Sequence, residues 1–511
     1  PASIEDLKKK CQPERGKALT DLGNAERLAI NHGQDLRFCK DWNKWLVWDG
    51  NRWAVDRENQ VQQRAKDTVR RIYAEAIDCE DRDQRKAIAD HAESSEREPA
   101  IRAMITLAQG ELPILPERLD ADPWLLTVRN GTVDLRTGKL LPSRRENYIT
   151  KTANVRFDSE AKCPTFMQFL NKILLGNENL ISFVQRAVGY SLTGKVTERY
   201  LFILHGVGRN GKSTLLEVLQ AMLDEYALRT PTETLMVRYG GSDIPNDIAR
   251  LKGARFVSAS ESEEGQRLAE AKIKDLTGGD TVSARFMRGE FFDFRPEFKL
   301  WLATNHRPVI RGTDNAIWDR IRLIPFEYRV PEEEQDPELP EKLKEELDGI
   351  FQWALAGCLA WQTSGLGKPA EIQKAVSEYR SEMDVLGQFL EDCCVLEPWC
   401  ETTSKELYSA YRKYCENNAE KMISQKRFGQ RLLERGLIPK RTNQTRYWIG
   451  IGLKDDSDAL YDVTHSDANS DISAIHARAR EINPETASPR VTRHQTKTNG
   501  DTQIPDLSAY D

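Results

Sequence analysis

A chain of 511 residues, 39% of them hydrophobic, carries enough apolar material for two to four domains with full-sized cores. No apolar run approaches the ~18 residues that a membrane span needs, and the opening PASIEDLKKKC lacks the apolar core of a secretion signal, so neither a membrane span nor export is expected, and a cytoplasmic protein is. A net charge of −6 excludes a chain that is basic throughout; a nucleic-acid partner would be met by local basic surfaces. The first residue is not Met, which leaves room for an upstream domain. Nine cysteines are scattered, and the one cluster, Cys393, Cys394 and Cys400 with Cys415 beyond, lacks C-x-x-C spacing. It reads as free thiols of a reducing compartment rather than a zinc site.

Residues 1–118 are expected to form an appendage of an aromatic hairpin plus helices. FCKDWNKWLVWDGNRWAVD holds two tryptophan-rich strands around the turn Asp49-Gly50-Asn51. Tryptophans on alternating strands pack a small sheet more readily than they stack bases. Gln60 to Ile77 has helical spacing, whereas 78–99 mixes both charge signs without an apolar face and predicts a solvated helix or linker. From 119 to 195 a helical region is expected, opened by a hairpin with turns at Asn130-Gly131 and Thr137-Gly138. Phe166, Phe169, Leu170, Ile173 and Leu174, then Ile181, Phe183, Val184 and Val188, carry its helical spacing.

The chain is organised around YLFILHGVGRNGKSTLLEVLQAML, Tyr200 to Leu223: an apolar strand, a glycine loop, and a helix with leucines at 215, 216 and 219. Gly206-x-x-x-x-Gly211-Lys212-Ser213 is the P-loop pattern. Its glycines let backbone N–H groups close around phosphate oxygens, Lys212 reaches the β and γ phosphates of ATP, and Ser213 ligates Mg2+. The candidate nucleotide contacts are Gly206, Gly208, Asn210, Gly211, Lys212, Ser213 and Thr214. A second buried strand, Ala254 to Ser260, runs into Glu261-Ser262-Glu263-Glu264; an acid there can hold metal and polarise water, and Ser260 in place of a first acid leaves Glu261 and Glu263 as rivals. Thr281 to Phe294 predicts strand, tip, strand, with Met287-Arg288-Gly289 at the tip. A third buried strand, Phe298 to Ala303, ends in Thr304-Asn305, whose amide can orient the lytic water. Asp314 to Phe326 is a short helix and strand carrying two rival cations, Arg320 and Arg322.

An acidic linker and helices are expected over 331–384. Residues 385–454 differ in character: two helices and then the hairpin IPKRTNQTRYWIGIGL suggest a winged helix, with Lys426, Arg427, Arg431, Lys440, Arg441 and Arg446 facing DNA phosphates. The polar stretch 455–511 reads as a disordered tail.

GVGRNGKST, FVSASESEE, IKDLTGGDTVSARFMRGEFFDF, LWLATN and WDRIRLIPF resemble, in order and spacing, superfamily 3 helicases of the poxvirus and phage or plasmid primase-helicase type. The resemblance covers roughly 119–450 and implies an α/β fold: an AAA+ P-loop ATPase core with a parallel sheet over 196–330, between the helical region and a winged helix. It implies a homohexameric ring that translocates on single-stranded DNA and unwinds duplex, with Lys212 and Ser213 on phosphate and metal, Glu261 as strand-end acid and metal contact, Asn305 as sensor and Arg320 as arginine finger. Arg285 and Arg288 would grip the strand in the channel, and fork or duplex DNA would meet the C-terminal module. The family often joins this motor to a primase; no Asp-x-Asp pair stands on a convincing strand ahead of the helical region, so primase activity is not expected of this chain, and a primase or polymerase becomes an expected partner. The rival reading is an ATP-switched initiator or scaffold that oligomerises on DNA without unwinding it.

Overall fold

A computed structural model describes residues 17–238, 246–260, 265–286, 290–312, 315–418, 420–442 and 445–454. Glu261, Glu263, Arg288 and the expected tail over 455–511 therefore lie outside the described residues.

At the N-terminal end, the hydroxyl of Thr20 accepts the Gly23 N–H and starts α1 (Asp21–His32). Strands β1 (Leu36–Cys39), β2 (Lys44–Trp48) and β3 (Trp53–Val55) form an antiparallel meander, one strand more than the aromatic pattern predicts. Asp49 pins the β2–β3 turn by accepting the N–H groups of Asn51 and Arg52, each at 2.8 Å. Trp53 is fully buried, its indole N–H on the Arg145 carbonyl at 2.8 Å, so this tryptophan is core. Helices α2 (Gln60–Ile77), α3 (Arg82–Ser95) and α4 (Glu98–Glu111) complete the region. The doubly charged stretch is helical as α3: Asp81 caps it, Ala92 and Ser95 are its buried residues, and Ser95 accepts from the Asn24 amide at 2.9 Å.

A second antiparallel meander, β4 (Leu125–Val128), β5 (Gly131–Asp134) and β6 (Lys139–Leu141), leads to α5 (Pro164–Ile173) and α6 (Glu178–Leu192). The apolar faces of these helices enter the largest core, together with Phe202 and Trp301, stacked at 4.5 Å. The central sheet is wholly parallel. The segment that carries it runs β7 (Leu201–His205), α7 (Lys212–Leu223), β8 (Ala227–Arg229), α8 (Asn246–Ala249), β9 (Phe256–Ser260), α9 (Glu270–Gly278), a separate antiparallel hairpin of β10 (Val282–Arg285) and β11 (Phe291–Phe294), β12 (Lys299–Thr304), α10 (Asn315–Trp318) and β13 (Ile321–Pro325), and the order of the parallel strands is β13-β7-β12-β9-β8. Burial of every residue of β12 explains the apolar run over 300–303, since a parallel sheet is covered on both faces. β7 has later strands on both sides while its successor β8 lies at the far edge, so the crevice beyond its carboxyl end is a topological switch point.

Past the sheet come α11 (Leu339–Glu345), α12 (Leu347–Ser364) and α13 (Ala370–Glu382). Leu343, Leu347, Ile350, Phe351 and Ala354 join the main core, so the acidic start of 331–384 gives way to integral helices. α12 crosses α6 at two glycines: a β-carbon on Gly189 would lie 2.1 Å from the Cys358 nitrogen, and one on Gly357 2.1 Å from the Gln185 carbonyl oxygen. The described residues from 17 to 392, with 411–422, form one compact unit; it includes α14 (Val385–Cys393) up to Asp392 and the second half of α15 (Ser404–Asn417), joined by Phe389 edge-on to Tyr411 at 5.4 Å.

The second unit comprises the described residues of 393–410 and 423–454. It holds β14 (Cys394–Val395), β15 (Glu401–Thr403), the start of α15, α16 (Gln425–Glu434), β16 (Ile438–Arg441), β17 (Arg446–Ile449) and β18 (Gly452–Leu453). β15, β17 and β16 form one antiparallel sheet, β14 and β18 a second pair. α16 closes on Gly436 with the Leu437 N–H on Leu432 and the Gly436 N–H on Leu433, the two bonds that stop a helix and turn the chain into a strand.

Candidate active site

The loop from Gly206 to Gly211 begins where β7 ends and finishes at the first residue of α7. Gly211 has φ +82°, a left-handed conformation costly for a residue with a β-carbon, and such a carbon would also lie 2.7 Å from Ile173. At Gly206 it would stand 2.1 Å from the Phe326 carbonyl oxygen. Both glycines are thus required by the backbone path. Lys212 is buried, and its ammonium donates to the Gly206 carbonyl at 2.6 Å, Asn210 Oδ1 at 2.8 Å and Asn305 Oδ1 at 3.0 Å. Burial lowers its pKa to about 8. Asn210 is also buried, and its Nδ2 donates to the Phe326 carbonyl at 3.1 Å, so both ends of this amide brace the loop from within. Ser213 is exposed and Thr214 half-buried on the first turn of α7, where backbone N–H groups without helical partners offer positive potential to an anion.

Asn305 follows β12, the neighbour of β7, and Thr304 pairs with His205 in register. The sensor candidate and the loop lysine are therefore brought together by adjacency of two strands. Sequence reasoning passed over His205, the last residue of β7. Its burial first, and then the charges of Arg307 and Lys212, hold its pKa down to about 4, so the imidazole is neutral near neutral pH. Arg307, just beyond Asn305, lies over the Tyr379 ring at 5.7 Å and pairs with Glu382 at 2.5 Å. Its partner is 75 residues away, beyond any local pattern.

β12 also separates β7 from β9, placing the end of β9 about 10 Å from the P-loop strand at ordinary strand spacing. Arg320 is not brought to the loop. Ile321 pairs with Leu201 and Pro325 with His205, so Arg320 lies at the opposite end of the sheet, about 16 Å of strand from its own P-loop. Arg322 stacks over Tyr200 with its guanidinium carbon 3.6 Å from the ring centre. On the β10–β11 hairpin, Arg285 is exposed over the Phe291 ring at 4.9 Å, and Phe286 and Phe291 are themselves 49% and 62% exposed.

In the second unit Lys426 and Arg427 are exposed and Arg431 half-buried on α16, while Lys440 pairs with Glu401 at 3.0 Å. Arg441 and Arg446, both exposed, are direct cross-strand partners. Like charges placed opposite each other weaken a hairpin unless an anion sits between them.

Comparison with known proteins finds matches in three parts of the chain. Residues 25–175 match the family described as D5 N terminal like, 204–320 a family of unknown function, and 381–456 the family described as poxvirus D5 protein-like. The protein named Putative helicase L207/L206 of Acanthamoeba polyphaga mimivirus is 26% identical over 60% of this chain and 34% of its own length. Putative helicase 121R of invertebrate iridescent virus 3 is 26% identical over 54% and 33%, and Putative primase C962R of African swine fever virus (strain Badajoz 1971 Vero-adapted) 23% identical over 59% and 34%. The chain spans about a third of the length of the curated relatives it matches. Among solved structures, the apo NrS-1 C terminal region shares the fold with a TM-score of 0.51 at 12% identity, covering 86% of this chain and 100% of that one.

Proposed function

Because the chain is of the poxvirus D5-like helicase-primase type, we propose that it is an ATP-driven DNA helicase of phage or plasmid-type replication, working as a homohexameric ring that moves along single-stranded DNA. The observation that carries the proposal is the contact of Lys212 with Asn305, which joins a phosphate loop to a strand-end amide on the adjacent parallel strand. Phosphoryl transfer to water needs positioning and charge stabilisation more than covalent chemistry. Loop amides and the α7 N-terminus would hold the β and γ phosphates. Lys212 would exchange its bonds to Gly206 and Asn305 for bonds to phosphate oxygens, releasing the Asn305 amide to orient the attacking water. Glu261, with Glu263 as rival, would polarise that water.

The site's donor chemistry fits Mg2+: the exposed Ser213 hydroxyl is a hard oxygen ligand, and magnesium favours one or two protein oxygens combined with phosphates. Bound there, it would neutralise phosphate charge; Ser213 and Glu261 are the residues that would hold it.

Arg320 would act on a neighbour's nucleotide, because the sheet holds it far from its own. The order helix, two short strands, helix, helix, hairpin over 385–449 supports a winged-helix reading of the C-terminal module, with Arg441 and Arg446 meeting fork or duplex phosphates. Strand displacement on forked DNA tests the proposal. ATP-dependent unwinding that Lys212→Ala abolishes is expected; ATP-driven assembly on duplex without strand separation would indicate a switch instead.

A further inference from the structure

A cleft of about 610 Å3 opens where β7 and β13 begin, bounded by the approach to β7, the end of α10 and one face of α13. Five cations line it: Arg199, Arg320, Arg322, Lys368 and Arg380. Its two carboxylates are Glu198, which accepts the Trp361 indole N–H at 2.7 Å, and Asp319. Among the described residues none of the five cations forms an ion pair. Like charges gathered in a partly enclosed cleft repel one another, so the arrangement becomes favourable when an anion joins it.

The cations are held differently. Arg322 is engaged by the Tyr200 ring and by the carbonyls of Asp319 at 3.0 Å and Ile321 at 2.8 Å. Arg320 donates one N–H to the Ala316 carbonyl at 2.6 Å, and its Nε is buried without a partner. Arg380, exposed on α13, reaches Asn315 Oδ1 at 2.7 Å, so the same short helix α10 holds both Arg320 and Arg380. Arg199 is exposed just ahead of β7. The cleft thus offers a row of donors rather than one finger, and several donors suit a polyphosphate better than a single charge does.

We propose that Arg380 and Arg199 directly contact the triphosphate of a nucleotide held by a second copy of this chain, so that the whole cleft receives what Arg320 alone would otherwise meet. This rests on the ring reading above. Removing one charged phosphate contact should raise the KM for ATP roughly tenfold or more, and Arg380→Lys, which keeps the charge, should recover most of it. Asn315→Ala breaks the same hydrogen bond without removing the cation. It should leave KM near the wild-type value; if it reproduces Arg380→Gln, Arg380 acts only by positioning α10 and the proposal fails.

Mixing settles whether the contact crosses between subunits. Full-length Arg380→Gln is combined with excess Lys212→Ala, whose own loop is disabled but whose cleft is intact. The KM of the Arg380→Gln loops should return towards the wild-type value. A KM that stays raised after subunit exchange is verified would make the contact internal or confined to free polyphosphate, and overturn the proposal. Wild-type KM in both Arg380→Gln and Arg199→Gln would overturn it while leaving the helicase reading intact. A wild-type protein without ATP turnover would overturn both.

Discussion

Lys212 gathers three oxygens around a buried ammonium, and each comes from a different part of the site: the strand end, the loop and the neighbouring strand. Lys212→Ala should abolish ATP turnover while circular dichroism shows the fold retained, because the backbone path is set by Gly206 and Gly211. The loss of a cation aimed at the transferring phosphate should be at least ~10²-fold in rate. Burial holds the Lys212 pKa at about 8, and phosphate binds the ammonium form, so nucleotide affinity should fall as pH rises through about 8. Equilibrium titration of a non-hydrolysable ATP analogue at pH 7 and pH 9 measures this, and Lys212→Arg should flatten the dependence. His205 acts in the other direction. Its folded pKa lies below that of the unfolded chain, which therefore binds the proton first as pH falls from 6.5 towards about 4. Stability from this residue should be level above pH 6.5 and decline below it, by on the order of a few kcal/mol at most, and denaturant titrations of His205→Gln should show a weaker decline.

At the scale of elements, the strand, loop and helix around the P-loop were legible because each part is local: an apolar run, glycines at fixed spacing, and leucines on one helix face. β9, β12 and the β10–β11 hairpin were legible for the same reason. The order of the strands was not. Only the fold reveals that β12 lies between β7 and β9 and brings Asn305 to Lys212, or that Arg320 stands at the far end of the sheet. Nor does helical spacing reveal the α6–α12 crossing, since Gly189 and Gly357 are 168 positions apart and meet through backbone. Gly189→Ala should destabilise the fold by about 1–3 kcal/mol or more, read from the midpoint of chemical denaturation, because backbone atoms of α12 occupy the new carbon's place. The hairpins differ in what they offer. Phe291→Ala should weaken single-stranded DNA binding with little change in salt dependence, as stacking releases no ions, by ~1–3 kcal/mol for a lost base contact. Arg441→Gln and Arg446→Gln should each reduce the slope of log affinity against log salt on duplex DNA by about one. Unchanged slopes would leave the second unit without a phosphate-binding hairpin.

For the whole molecule, the proposed ring motor differs from a lone ATPase in the use it would make of Arg320, which the strand register places far from its own P-loop. On the proposed reading, a single subunit would have a loop for nucleotide and, at the other end of the same sheet, a cation out of reach of it; joining subunits head to tail would supply each with the other's missing part. Arg320→Ala should therefore bind ATP normally and lose ~10³-fold in turnover. The most direct measurement mixes full-length Arg320→Ala with full-length Lys212→Ala, each inactive alone, under conditions where subunit exchange is verified. Interfaces that pair an intact P-loop from the first with an intact Arg320 from the second should restore part of the ATP hydrolysis. Mixtures that show only the sum of the two separate activities would contradict a catalytic Arg320 acting between subunits.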